Sequence, residues 1–284
     1  MGRWLLVASG LIVVGAVVAI WIGQARETSK AGRMAAALLQ SASNPASGTV
    51  DFASFSELPP PVARYFRHVL TDGQKLIRMA KISQSGMLRT STATKTWSSF
   101  TASQLVVPPA PGFVWNAKVE MPLATHVRVL DSYIAGVGAG SVSLLSAFAV
   151  ASETGVPELN AGALHRYLAE AVWYPTALLP QLGVVWSPIS DHAAMATLTD
   201  GGTMVSLEFR FNEAGEVTGI YSPGRFGRFD GAFKQVPWEG HFRDYQTKAG
   251  MRVPRYGEVG WYDNGTLQLV WNGNIVDAQY ELKP

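Results

Sequence analysis

The sequence predicts an α+β, mainly β fold: one large curled antiparallel sheet, half-open and barrel-like, with a few helices on one side. Three observations carry this. From about Leu76 onward, apolar residues recur with period two through about a dozen short segments. Turns rich in Gly and Pro, such as "PPAPG" at 108–112, separate them. One helical stretch near 161–174 interrupts the run, and the strands after it, at the end of the chain, read as an antiparallel meander.

The elements follow in chain order. Trp4 to Ile22, "WLLVASGLIVVGAVVAIWI", holds no charged residue, and as a helix it spans roughly 28 Å, close to the hydrocarbon thickness of a bilayer. Trp4 and Trp21 stand at its two ends, where interfacial aromatics belong. Residues 1–25 are therefore expected to be an N-terminal transmembrane anchor, or else a signal peptide cut near "GQA" at 23–25. Arg3 precedes this span and Arg26, Lys30 and Arg33 follow it, which by loop charge alone favours a cytoplasmic domain. Residues 26–57 read as a second helix stopping near Pro45, then a linker. Residues 58–284 form a single antiparallel β domain with helices near 61–70 and 161–174. Pro61 suits a first helical position, and Val62, Phe66 and Val69 share one side of the first of these helices.

After that helix, Val205, Leu207, Phe209 and Phe211 alternate with Ser206, Glu208 and Arg210, the mark of a strand with one buried face. "DNG" at 263–265 and "NGN" at 272–274 both carry tight-hairpin chemistry. Trp97, Trp115, Trp186, Trp238, Trp261 and Trp271 recur in strand contexts, where core packing is the simplest use for them.

Composition narrows function mostly by exclusion. Charged residues are 15% of the chain against a usual ~25%, which implies much buried or apolar surface. A net charge of +2 leaves no electrostatic footprint for nucleic acid. The absence of cysteine rules out disulfides, thiolate metal sites and a cysteine nucleophile. The five histidines, His68, His126, His165, His192 and His241, are isolated, so neither a metal nor another cofactor is expected. "GVGAG" at 136–140 precedes strand-like residues rather than a helix, and reads as a hairpin turn. No catalytic motif is present, which points away from an enzyme. "GRFGRFDG" at 224–231 sets two arginines among aromatics. It could hold an anionic head group, or be a solvated loop paired to Asp230.

The stretch "LHRYLAEAVWYPTALLP" at 164–180 is the most informative. Leu164, Leu168, Ala171 and Val172 form one apolar side. Arg166, Glu170 and Trp173, spaced i, i+4 and i+7, form a second stripe. Arg before Glu is the weaker order for helix stability, so the pair serves something other than the helix itself. A Trp on that stripe requires cover, either from a second layer or from a cavity. Pro175 disfavours helical geometry at Tyr174 and ends the helix where its aromatics cluster. Two readings stay open: a buried structural ion pair beneath a loop, or the wall of a ligand cavity involving Trp115, Arg166, Glu170, Trp173, Tyr174 and Trp186.

Together with "LPPPVARYFRHVL" at 58–70, "GFVWNAKVEM" at 112–121, "VVW" at 184–186 and "VPWEGHFRDYQTKAGMRVP" at 236–254, this stretch resembles an uncharacterised bacterial domain family over roughly residues 55–284. A weaker, fold-level resemblance is to periplasmic lipoprotein-carrier and lipoprotein-sorting domains, carried by the "FRDYQTKAGMRVP" pattern. That resemblance implies an apolar cavity between sheet and helices and a lipid or acyl-chain ligand. It also implies a domain outside the cytoplasm, held to the bacterial cytoplasmic membrane by residues 4–22. The expected function is a lipid- or amphiphile-binding module at the membrane surface. The alternative is a structural or protein-interaction domain without ligand, for which no protein partner can be named.

Overall fold

The computed structural model describes the backbone of residues 2–42, 48–89 and 92–282; among these, the side chains of residues 2–13 and 16 are not described. Helix α1 (Gly2–Ser41) is followed by a short 3-10 turn (Phe52–Glu57) and helix α2 (Pro60–Val69). A first meander comprises β1 (Ile77–Leu88), β2 (Ser98–Val106), β3 (Phe113–Met121), β4 (Thr125–Ile134), β5 (Val137–Leu144) and β6 (Phe148–Thr154). Helix α3 (Pro157–Glu170) and three 3-10 turns between Ala171 and Leu182 then cross the molecule. The second meander is β7 (Val185–Ser190), β8 (Ala193–Asp200), β9 (Thr203–Phe211), β10 (Val217–Phe229), β11 (Ala232–Lys248), β12 (Met251–Asp263) and β13 (Thr266–Leu282).

All thirteen strands form one antiparallel sheet in the order β6-β5-β4-β3-β2-β1-β13-β12-β11-β10-β9-β8-β7. Each meander starts or finishes at the centre, where β1 and β13 pair over most of their length. Helix α3 carries the chain from one edge to the other. It touches β4 and β5 as well as β9 and β10, strands far apart in the sheet, which only a sheet curled around it permits. The two walls also meet directly. Tyr133 donates to the Asp200 carboxylate at 2.8 Å, and Arg228 bonds Glu153 across the gap.

Inside the curl, one end is filled. Phe55 of the 3-10 turn and Tyr65 and Phe66 of α2 pack with Trp186, Phe209 and Phe211 in a continuous cluster of rings. The expected buried face of 205–211 is this wall. Each ring buries a large apolar area, so α2 acts as a plug with a substantial hydrophobic share of the stability.

Two expectations are corrected here. "NGN" at 272–274 is no hairpin turn but the middle of β13, where Gly273 pairs with Gly86 on one side and Gly257 on the other. The glycines are there to admit rings. A Cβ on Gly273 would lie 2.8 Å from the Trp271 ring, and one on Gly257 would lie 3.0 Å from that of Trp173. By contrast, "DNG" does form a hairpin, with Asn264 and Gly265 both at positive φ. Second, the helices do not all share one side. Helix α1 is continuous through residue 25 and its C-terminal half lies on the outer face, where Leu38 and Ala42 bury against Val107, Val114 and Leu130. Lys30 donates to Ser141 at 2.8 Å and Gln24 to the Leu145 carbonyl at 3.2 Å. The apolar span expected at 4–22 falls mostly on side chains outside the described set. Among the described residues, no helix is long and apolar enough to cross a membrane.

Candidate ligand-binding site

The other end of the curl holds a cavity of about 440 Å³ between α3 and the sheet, within the roughly 300–1,000 Å³ range of small-molecule sites. Its walls are aromatic and aliphatic: Trp115, Trp173, Trp238, Trp261 and Trp271 stand with Phe242, and Leu88, Val129, Ile220, Val259 and Val270 fill in between. An adjoining cleft of about 590 Å³ lies between β4–β6, β10 and the first turns of α3. The two spaces share Asp131, Val142, Arg166 and Arg225. Three of these, Asp131, Arg166 and Arg225, form a polar neck between an outer cleft and an inner aromatic chamber.

The neck is built from register. Gln104, Trp115 and Asp131 lie side by side on β2, β3 and β4, facing inward. Helix α3 begins with Pro157 in its first turn and Glu158 beside its positive end, and sets Arg166 and Glu170 one turn apart above that row. Arg166 Nε donates to Glu170 at 2.7 Å and its Nη1 to Asp131 at 3.0 Å. Gln104 donates to the second Glu170 oxygen at 2.5 Å and accepts from Gln84 at 3.2 Å; the Trp115 indole donates to Gln84 at 2.7 Å. The guanidinium also lies over the rings of Phe113 and Trp115, at 5.1 and 4.6 Å. Burial disfavours its charge, but Glu170 and then Asp131 overcome this and hold the Arg166 pKa above its ordinary value. Burial raises the Asp131 carboxyl above the usual carboxylate range, with Arg166 opposing.

Arg225 is the second cation of the neck. It is sandwiched between Trp238 and Trp261, at 4.7 and 5.0 Å, and gives one Nη to the Gly162 carbonyl at 2.9 Å. The expected pairing of this segment with Asp230 does not occur. Residues 224–229 belong to β10, while Asp230 sits in the following turn and pairs with Lys234 at 3.1 Å.

Of the six residues expected at a site, four line the chamber: Trp115, Arg166, Glu170 and Trp173. Trp173 arrives by a different route from the one expected. Helix α3 ends at Glu170, and a 3-10 turn (Ala171–Trp173) carries the indole to the wall, where it packs edge-on to Phe242 at 5.9 Å. Tyr174 and Trp186 stand elsewhere. Tyr174 is fully buried behind the helix, with its hydroxyl donating to the Tyr167 carbonyl at 2.7 Å. Trp186 belongs to the plugged end and donates to the Leu178 carbonyl at 2.9 Å. Gln84, Gln104 and Asp131 were not expected at the site, because isolated polar residues in strands give no sign of what faces them. Among the described residues, no group of three or more His, Cys, Asp or Glu side chains is placed to hold a metal ion.

The inward-facing residues of all thirteen strands and both inner helices fall within one segment, and a single family model matches residues 56–280. The chain belongs to DUF6920, a family of unknown function. The DUF6920 segment contains the whole chamber and neck, and begins after α1. No curated protein sequence matches the chain. Among solved structures it is similar to a LolA superfamily protein from Nitrosomonas europaea. That similarity covers 83% of this chain and 96% of that one, at 8% identity and a TM-score of 0.43.

Proposed function

We propose that this DUF6920 domain is a binding module for a lipid or other amphiphile, whose acyl part occupies the aromatic chamber and whose polar part sits at the neck. One observation supports this above others. The chamber is apolar over most of its wall, and four of its six charged residues, Asp131, Arg166, Glu170 and Arg225, gather where it joins the outer cleft, Arg89 and Glu258 standing apart from them. An amphiphile has the same division of chemistry, and burying its chain would contribute about 0.8 kcal/mol per CH₂. A purely structural ion pair would account for Arg166 and Glu170, but not for five tryptophans around a space of this size. Membrane attachment belongs to the same proposal. Gly23 and Gln24 of α1 meet the β5–β6 turn at Ala147 and Leu145, and among the described residues before them Val14, Val17, Val18, Trp21 and Ile22 are exposed. These residues would set the domain beside a lipid source, outside the cytoplasm in the proposed arrangement. Native mass spectrometry of purified protein provides the test. A bound species of lipid mass at one per chain is expected. Protein that carries none, and takes up none from mixed vesicles, would refute the proposal.

A further inference from the structure

The count of charges at the neck balances, two arginines against two carboxylates, but the geometry does not. Arg166 takes both Glu170 and Asp131 for itself. Arg225, on the facing wall, forms an ion pair with no carboxylate among the described residues. Its one hydrogen bond goes to a backbone carbonyl, and its Nε is enclosed without a partner. The indole N–H of Trp173, on the same chamber wall, is likewise enclosed without a partner. Buried cations and donors are normally paired, since leaving one unpaired costs free energy. With the Nε of Arg89, which is enclosed in the same way, three unmet donors stand on one chamber, the complement of an acceptor that carries negative charge.

We infer that the site selects anionic amphiphiles, with the carboxylate or phosphate of the ligand taken by the Arg225 guanidinium between Trp238 and Trp261 and the acyl chain in the chamber beyond. This rests on the proposed amphiphile binding and names the ligand class. The guanidinium stands between the two rings and lines both the chamber and the outer cleft, and Arg takes carboxylate or phosphate through parallel hydrogen bonds. Its electrostatic state agrees. Burial, and then the neighbouring Arg166, push the Arg225 pKa down to about 10 against the opposing pull of Glu170 and Asp131, so it remains a cation at neutral pH.

Tryptophan fluorescence gives the readout, because five indoles line the chamber. Full-length protein is titrated with dodecanoate, dodecyl phosphate, dodecyltrimethylammonium and inorganic phosphate, each below its micelle threshold. The anionic chains should bind at least about tenfold more tightly than the cationic one, equivalent to ~1.4 kcal/mol. Arg225→Gln should remove most of that preference, while Arg225→Lys should keep part of it by keeping the charge. Equal affinity for the anionic and cationic chains would overturn the inference while leaving amphiphile binding intact. Inorganic phosphate binding as tightly as dodecyl phosphate would also overturn it, as the mark of a free-anion site. Failure of every chain to bind would instead remove the underlying proposal. The wild-type comparison needs no variant, so poor folding of Arg225→Gln leaves the test decisive.

Discussion

Arg166 on α3 and Asp131 on β4 meet at 3.0 Å, and this bond ties the crossing helix to the wall of the sheet. With Glu170 at 2.7 Å from the same guanidinium, the three charges act as a unit. Removing the cation leaves two partly buried carboxylates facing each other. Arg166→Ala should therefore destabilise the fold by about 3 kcal/mol, and Glu170→Ala by less. The double variant should lose little more than Arg166→Ala alone, since one network is being broken. Urea melts of the three variants check this. Full additivity would mean that the pair is not coupled.

Gly257 and Trp173 make a second prediction. A methyl group at 257 would press on the indole at 3.0 Å and on Phe242 at 3.3 Å. Both rings form the chamber wall, so they have some freedom to move inward. Gly257→Ala should cost about 1–3 kcal/mol and reduce the space for a ligand. Thermal melts and a dodecanoate titration on the same variant read both effects.

Much of this architecture is legible in the sequence, and the parts that are not have physical reasons. Period-two patterning reports strands faithfully, because one face of nearly every strand is buried. A curled sheet is expected from it, but not which strands the curl brings together, so the meeting of Tyr133 with Asp200 could not be foreseen. "NGN" misleads because the chemistry that favours a tight turn also serves a strand that needs small residues under aromatic rings. Arg166 and Glu170 stood out because their order is the wrong one for the helix. Gln84, Gln104 and Asp131 did not, since each is an ordinary polar residue until register aligns it. Arg225 was noticed as an arginine among aromatics, but the nearest carboxylate in sequence, Asp230, is not its neighbour in space. Tyr174 and Trp186 were drawn in by proximity to the motif. The turn after Glu170 sends Trp173 to the chamber and Tyr174 behind the helix.

The chamber can be blocked without touching its charges. Val129 on β4 lines it and is only partly buried. Val129→Trp should fill space without displacing packed neighbours, with a melting temperature close to that of the parent. Dodecanoate binding should fall at least about tenfold, a loss of ~1.4 kcal/mol. Unchanged affinity in calorimetry would mean that the chain binds elsewhere.

His165 gives a pH dependence of known sign. It is buried on α3, with Nε2 at 3.2 Å from the Ser206 carbonyl. Burial, and then the charge of Arg225, lower its pKa from 6.5 to about 4. The folded state therefore keeps it neutral where the unfolded chain is already protonated. Its contribution is fully present above pH 6.5 and is lost as pH falls toward 4, a change on the order of 3 kcal/mol. His165→Gln should flatten that part of the stability curve. Chemical denaturation at pH 7, 5.5 and 4.5 measures it, and parallel curves for the two proteins would refute the assignment.

The central claim is that an acyl chain enters the chamber between α3 and the sheet. A fatty acid with a photoactivatable diazirine near its methyl end tests it most directly, by cross-linking to full-length protein and peptide mapping. Labels should fall on Trp115, Trp173, Trp238, Trp261, Trp271 and their neighbours, and should be competed away by dodecanoate. Labels confined to the exposed face of α1 around residues 14–22, or spread over the outer surface and unaffected by competitor, would contradict it.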